Sequence, residues 1–130
     1  MDIKDQIKSK ILSNKKDMRL DAFINYALFS DNGYYFNRRP IGKNFDFITA
    51  PEISQMFGEI IGLYLYYIWK TKINSKFNLI ELGPGKGTLL KDITNSVSND
   101  PIFLKQAKII LIEINKTLIE LQKQIIKDSK

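Results

Sequence analysis

The chain has 130 residues, of which 44% are hydrophobic, so it is long enough to form a globular core. Its formal net charge is +6, but the lysines are scattered along the sequence rather than clustered, which disfavours nucleic acid as a partner. Because it contains no cysteine and no histidine, disulfides, the usual type of zinc site, a thiol nucleophile and a Ser-His-Asp triad are excluded within this chain.

The first residues resemble neither a secretory signal nor a transit peptide. Residues 1–8 carry acids in place of an apolar core or an arginine-rich pattern. The longest nearly apolar stretch, Ile60 to Trp69, is much shorter than the roughly 20 residues that a membrane span needs. These features predict a cytoplasmic protein with no membrane anchor.

Three helices are predicted in the first half of the chain. Isoleucines at positions 3, 7 and 11 predict the first, and the apolar residues between 20 and 29 predict the second. The sequence Thr49-Ala-Pro-Glu52 has the form of a capping box, in which each of the two side chains accepts a hydrogen bond from the other residue's amide. A third helix should therefore begin at Thr49 and run to about Lys70.

The centre of the chain is residues 77–87, Phe-Asn-Leu-Ile-Glu-Leu-Gly-Pro-Gly-Lys-Gly. A short apolar run bounded by polar residues and a glycine cluster predicts a buried parallel strand, followed by a helix from Thr88 to about Asn95. Glycine at 83, 85 and 87 removes the Cβ atoms that would keep a ligand from the backbone and allows the positive φ angles of a tight turn. This pattern indicates a nucleotide-type ligand.

The glycine spacing distinguishes three kinds of nucleotide-binding loop. A P-loop is excluded because Gly87 separates Lys86 from Thr88, and Ile80 stands where the first glycine should be. The dinucleotide fingerprint requires its third glycine one residue later. The remaining pattern, Glu-x-Gly-x-Gly-x-Gly, resembles the first motif of class I S-adenosylmethionine-dependent methyltransferases, in which the acid lies near the methionine amino group.

A second apolar run, residues 108–114, predicts another strand with Glu113 near its end, 26 positions after Gly87. In such a βαβ unit a carboxylate at this place accepts both ribose hydroxyls, so the loop and the acid fit one adenosine-containing ligand. The alternative is a helix-capping turn with a surface glutamate. Asn115 is predicted to cap a last helix.

Three blocks together resemble the MidA family of methyltransferases: Gly33-Tyr-Tyr, the block from Asp46 to Glu59 with Thr-Ala-Pro-Glu-Ile-Ser at its centre, and Ile80 to Ile93 with Glu113 beyond. Mitochondrial members of that family assist the assembly of respiratory complex I and methylate an arginine of one of its subunits. The resemblance implies S-adenosyl-L-methionine as cofactor and a protein as substrate; it assigns no catalytic residue. Phe45 departs from the family, which usually has glycine there. Cofactor-binding residues implied by the resemblance are Glu81, Gly83, Gly85, Gly87 and Glu113, and implied pocket-lining residues are Gly33, Tyr34, Asp46, Phe47 and Thr49.

The resemblance implies an α/β fold with an incomplete sheet. Residues 1–75 are expected to form a helical and loop region, and residues 76–130 the first βαβα part of a Rossmann-like methyltransferase domain. Family members have several hundred residues and about seven strands, so the chain is interpreted as an N-terminal fragment of such an enzyme, inactive alone. Alternatives are half of a two-chain methyltransferase, in which a second polypeptide supplies the missing strands, a non-catalytic remnant of a split or decaying gene, and a nucleotide-binding module without methyl transfer.

Overall fold

The computed structural model describes residues 2–14, 17–37 and 46–128. The order of elements confirms the predicted α/β class, with a helical first part followed by a β-α-β-α part. A π-helical turn, Trp69–Ile73, directly follows the helix Gln55–Ile68. The elements are α1 (Ile3–Asn14), α2 (Leu20–Phe29), α3 (Tyr34–Asn37), α4 (Ala50–Ile53), α5 (Gln55–Ile68), β1 (Phe77–Leu82), α6 (Thr88–Ser96), α7 (Pro101–Gln106), β2 (Ala107–Ile112) and α8 (Lys116–Asp128).

The sheet of the described residues consists of β1 and β2, which pair in parallel with Phe77 opposite Ala107 and Leu82 opposite Ile112. Alternate residues of β1 are partly covered, whereas Ile80 and Leu82 on the other face are 54% and 74% exposed. Parallel strands are normally covered on both faces. The described residues thus form a two-stranded sheet with one face of β1 open, which matches the predicted incomplete sheet.

The aromatic core lies at the end of β1 where the chain enters the strand. Phe103 of α7 is fully buried, and its ring centroid lies 5.2 Å from that of Phe77, 5.5 Å from that of Trp69 and 5.8 Å from that of Tyr66. Val97 completes the buried cluster. These side chains pack at the start of β1, and the glycine loop follows the opposite end of the strand.

Helices α5 and α6 pack closely through two glycines of α5. A Cβ on Gly62 would lie 2.1 Å from the Ser96 hydroxyl oxygen and 2.9 Å from the Ile93 Cα, and a Cβ on Gly58 would lie 2.5 Å from the Asp92 Cβ. No side chain fits at these distances, so glycine is required where the helices meet. This contact joins the predicted regions 1–75 and 76–130; the division into two domains stays a prediction.

The contact buries Asp92, which is 6% exposed and whose Oδ2 atom has no hydrogen-bond partner among the described residues. Burial raises the pKa of the Asp92 carboxyl above its ordinary 3.8, the charges of Glu59 and Glu52 raise it further, and Lys91 opposes the change. An acid with a raised folded-state pKa binds more protons when folded, so its contribution lowers stability as pH rises through and above 3.8.

We expect Asp92→Asn to raise the free energy of unfolding at pH 7 by on the order of 1 kcal/mol, because a buried unpaired charge costs more than a buried amide. Thermal unfolding of both proteins between pH 4 and pH 8 measures this gain, which should shrink towards low pH. Glu120→Gln on the surface of α8 is the matched control and should give a small, nearly pH-independent difference. A gain that is equal at all pH values would contradict the role of the Asp92 charge.

The predicted single helix from Thr49 to Lys70 is wrong in one respect: it is interrupted at Ser54, whose backbone is extended (φ −146°, ψ 120°). The capping box is also wrong. The Thr49 side chain makes no capping hydrogen bond, and the Glu52 carboxylate is engaged by Lys86 and Thr88 instead. A tertiary ion pair has replaced the local contact that the sequence pattern predicts.

The predicted cap at Asn115 is confirmed. The Asn115 side-chain oxygen accepts hydrogen bonds from the amides of Thr117 (3.0 Å) and Leu118 (3.2 Å), so Asn115 caps α8. No helix of the described residues has the length and apolarity needed to cross a membrane. Phe45 falls in segment 38–45, outside the residues that the structure describes.

Candidate functional site

The glycine loop turns the chain sharply from β1 into α6. Gly83, Gly85 and Gly87 have φ angles of +63°, +57° and +87°, which only glycine adopts readily. The Gly83 amide donates to the Ile112 carbonyl oxygen (2.9 Å), so the start of the loop is tied to the end of β2. A Cβ built on Gly83 would meet no atom within 4 Å, which leaves open space beside the backbone. The loop thus has the exposed main chain that a ligand can approach.

A cleft of about 300 Å³, the β1 cleft, lies on one side of this loop. It is formed by the N-terminal part of α4, the end of β1, the loop itself and the first turn of α6. Its charged residues are Glu52, Glu81 and Lys86. The lining residues are Thr49–Glu52, Phe57, Glu81–Lys86, Thr88 and Leu89.

Glu81 is the predicted acid of the loop motif, and it lies on the partly covered face of β1. It has no hydrogen-bond or ion-pair partner in the part of the chain that the structure describes. Burial raises the pKa of its carboxyl above the ordinary 4.5. A half-buried carboxylate without a partner favours a cationic or hydrogen-bond-donating group, so Glu81 is suited to an ammonium group in the β1 cleft.

Glu52 connects the other wall of the cleft to the glycine loop. Its carboxylate accepts hydrogen bonds from the Lys86 ammonium (2.8 Å) and the Thr88 hydroxyl (2.6 Å). Burial alone raises the pKa of the Glu52 carboxyl, but these two hydrogen bonds and the Lys86 charge outweigh burial and hold the pKa below its ordinary 4.5. Glu52 therefore remains ionised at neutral pH, and its lowered pKa contrasts with the raised pKa of Glu81.

A second cleft of about 300 Å³, the β2 cleft, lies beyond Gly83 at the end of β2. Gly83 lines both clefts, so the two meet at the first glycine of the loop. The walls of the β2 cleft are mainly apolar and aromatic, with one carboxylate at its edge. The lining residues are Phe29, Tyr35, Gly83, Ile112, Glu113, Ile114 and Leu118.

Glu113 is held in place by its own turn. One carboxylate oxygen, Oε1, accepts hydrogen bonds from the amides of Ile114 (2.8 Å) and Asn115 (2.9 Å). The other, Oε2, accepts none within the described residues. The side chain is therefore oriented by the backbone and keeps one oxygen available, the arrangement that a ligand hydroxyl requires.

Two buried amide side chains support the clefts. The Asn115 amide donates to the Tyr35 carbonyl oxygen (2.9 Å) and so joins the start of α8 to α3. The Gln122 amide donates to the Gly85 carbonyl oxygen (2.7 Å), which fixes the middle of the glycine loop from α8. Gly87 packs against Gln122 and lines neither cleft. Its role in the described structure is to begin α6.

The residues predicted to line the N-terminal side of the pocket do not all lie at one site in the structure. Thr49 lines the β1 cleft. Tyr34 donates its hydroxyl to the Asp46 carboxylate and packs edge-on against Phe47, with ring centroids 6.2 Å apart. Gly33 is buried under Leu28, where a Cβ would lie 2.7 Å from backbone. These last four residues line neither cleft, and a role for them in ligand binding stays a prediction.

Several residues at the clefts were not predicted from the sequence. Phe29 and Tyr35 line the β2 cleft, and their rings stack with centroids 5.9 Å apart. Tyr35 follows the predicted Tyr34 directly, so the sequence block was right while the side chain facing the cleft was not identified. Glu52 was predicted only as part of a capping box, and nothing in the local sequence of Glu52 or Gln122 indicates a contact with the glycine loop.

Comparisons with known proteins support the resemblance to S-adenosylmethionine-dependent methyltransferases. Residues 60–130 match a family described as "Putative S-adenosyl-L-methionine-dependent methyltransferase". The bovine protein named "Protein arginine methyltransferase NDUFAF7, mitochondrial" is 46% identical over 101 residues, which are 75% of this chain and 23% of that protein. Its Drosophila melanogaster homolog is 44% identical over 89 residues, 68% of this chain and 20% of that protein. The match thus spans about a fifth of the length of these curated relatives.

The fold is similar to that of a Burkholderia thailandensis protein crystallised with S-adenosyl-homocysteine. The TM-score is 0.81 at 18% sequence identity, and the match covers 98% of this chain and 33% of that protein. The prediction of a cytoplasmic location is wrong, because the relatives from cattle, fruit fly and human are all named as mitochondrial proteins. The acidic first residues on which that prediction depends do not determine the compartment.

Proposed function

Because the chain belongs to the MidA family of S-adenosyl-L-methionine-dependent methyltransferases, we propose that its two clefts together hold one S-adenosyl-L-methionine molecule for methyl transfer to a protein arginine. The observation that carries the proposal is the meeting of the clefts at Gly83, with Glu81 lining one cleft and Glu113 lining the other. A ligand with an amino acid at one end and a nucleoside at the other requires such a pair of connected sites.

Each end of the ligand has matching residues in the proposal. Glu81 would pair with the methionine ammonium in the β1 cleft, because its carboxylate is half-buried and has no partner among the described residues. The available oxygen of Glu113 would accept the ribose hydroxyls. Phe29, Tyr35 and Ile114 would surround the adenine with apolar surface. When bound, the cofactor supplies a methyl group activated by its sulfonium; the chain's residues orient it.

Methyl transfer itself is proposed to need polypeptide beyond these residues. Ile80 and Leu82 are exposed apolar residues on β1, and on α5 Ile60, Leu63 and Tyr64 are 59%, 55% and 63% exposed. Such a surface is typical of one that is covered by further strands or helices. We propose that the covering segment, on this or a second polypeptide, also holds the acceptor arginine. The names of the relatives support a mitochondrial site of action.

The experiment is an incubation of the purified 130-residue chain with methyl-labelled S-adenosyl-L-methionine and mitochondrial protein extract. We expect no labelling above background, because positioning of the acceptor can contribute about 7–11 kcal/mol to lowering the barrier and two strands do not enclose both partners. Labelling that Gly85→Val abolishes would contradict the need for further polypeptide. Failure of the chain to bind the cofactor, alone or with a covering polypeptide, would instead favour the non-catalytic remnant.

A further inference from the structure

The β1 cleft contains an ion pair whose effect on the ligand is separate from the fold. Glu52 and Lys86 are 34 residues apart in sequence, and their side chains are 15% and 30% exposed. The Lys86 ammonium donates a hydrogen bond to Glu52 of α4 at 2.8 Å, in a partly exposed position. Because both residues line the β1 cleft, their charges act on whatever occupies it.

The charges in the cleft can be compared with those of its proposed ligand. Glu81 and Glu52 are acids, and Lys86 is the one base among the residues lining this cleft. S-adenosyl-L-methionine carries an ammonium, a sulfonium and a carboxylate, so its net charge is one positive unit. After methyl transfer the sulfonium becomes a neutral thioether, and S-adenosyl-homocysteine has no net charge. A lysine without its partner would therefore repel the cofactor more than the product.

We propose that Glu52 is a specificity-determining residue that holds and neutralises Lys86, so that the β1 cleft favours the positively charged cofactor over its neutral product. This inference rests on the proposed function of the two clefts. The lowered pKa of Glu52 supports it, because the carboxylate stays charged at neutral pH. The Thr88 hydroxyl fixes the second carboxylate oxygen and so keeps Glu52 aligned with the loop.

The test compares two ligands on matched variants. Nuclear magnetic resonance titrations of the 130-residue chain with S-adenosyl-L-methionine and with S-adenosyl-homocysteine give a ratio of dissociation constants for each variant. Glu52→Gln should shift this ratio roughly three- to tenfold towards the product, the effect of one unit charge at short range in a partly exposed site. Glu120→Gln on α8 should leave the ratio unchanged.

The double variant Glu52→Gln/Lys86→Met distinguishes charge from structure. Removing the unpaired lysine should restore the wild-type ratio of dissociation constants. If Glu52 has a merely structural role, the affinities for both ligands should instead fall by the same factor. An equal loss of affinity for both ligands would overturn the inference while the proposed function stands. A shifted ratio of dissociation constants that does not return to the wild-type value in the double variant would do the same. A wild-type chain that binds neither ligand, alone or with a covering polypeptide, would overturn both.

Discussion

Replacing Glu113 with alanine should weaken the binding of S-adenosyl-L-methionine roughly ten- to hundredfold. The physical reason is the loss of a charged acceptor for two ribose hydroxyls, which is worth on the order of 1.5–3 kcal/mol. The carboxylate is already oriented by the amides of Ile114 and Asn115, so the bound ligand would find it in position. Titration calorimetry or magnetic resonance on the purified chain measures the change.

The same contacts make Glu113→Gln the sharper variant. Glutamine retains a carbonyl oxygen for the Ile114 and Asn115 amides, so the turn before α8 should persist while the charged second oxygen is lost. Affinity should still fall, and thermal stability should change little. If Glu113→Gln and Glu113→Ala both bind the cofactor as tightly as the wild type, the ribose does not lie on Glu113.

Replacing Phe103 with alanine should lower the free energy of unfolding by about 3–5 kcal/mol. Phe103 is fully buried between the rings of Trp69, Tyr66 and Phe77. Alanine would leave a cavity in the cluster that fixes the start of β1. Since a domain of this size has a total stability of only about 5–15 kcal/mol, much of the chain should be unfolded near body temperature.

Ile102→Ala in the same helix is the matched control, because Ile102 is 56% exposed. It should change the free energy of unfolding by less than about 1 kcal/mol. Phe103→Leu keeps part of the volume and should lie between the two. Denaturant unfolding followed by tryptophan fluorescence reports on the site directly through Trp69. Similar stabilities for Phe103→Ala and Ile102→Ala would show that the aromatic cluster does not hold β1.

Features with a local cause could be predicted from the sequence. The strand at 77–82, the glycine turn and the Asn115 cap each depend on a few adjacent residues, and the structure contains all three. The parallel pairing of β1 and β2 also follows, because a helical crossover joins two short apolar runs. Both acids of the proposed site were identified because each stands near the end of a strand.

Features that depend on distant partners could not be predicted. Glu52 satisfies the capping-box pattern locally, but Lys86 and Thr88 provide a stronger arrangement in the folded chain. The contact between Gln122 and the Gly85 carbonyl joins residues 37 positions apart. The choice of Tyr35 over Tyr34 for the β2 cleft depends on how α3 is held by Asn115, which no pattern within the Gly33 block reveals.

The most direct measurement is the structure of the chain bound to S-adenosyl-L-methionine or S-adenosyl-homocysteine, determined by crystallography or by intermolecular magnetization transfer. We predict that the ligand crosses Gly83, with its ammonium within hydrogen-bonding distance of Glu81 and its ribose hydroxyls within hydrogen-bonding distance of Glu113. A ligand confined to one cleft, or bound away from the glycine loop, would contradict the proposal that the two clefts form a single cofactor site.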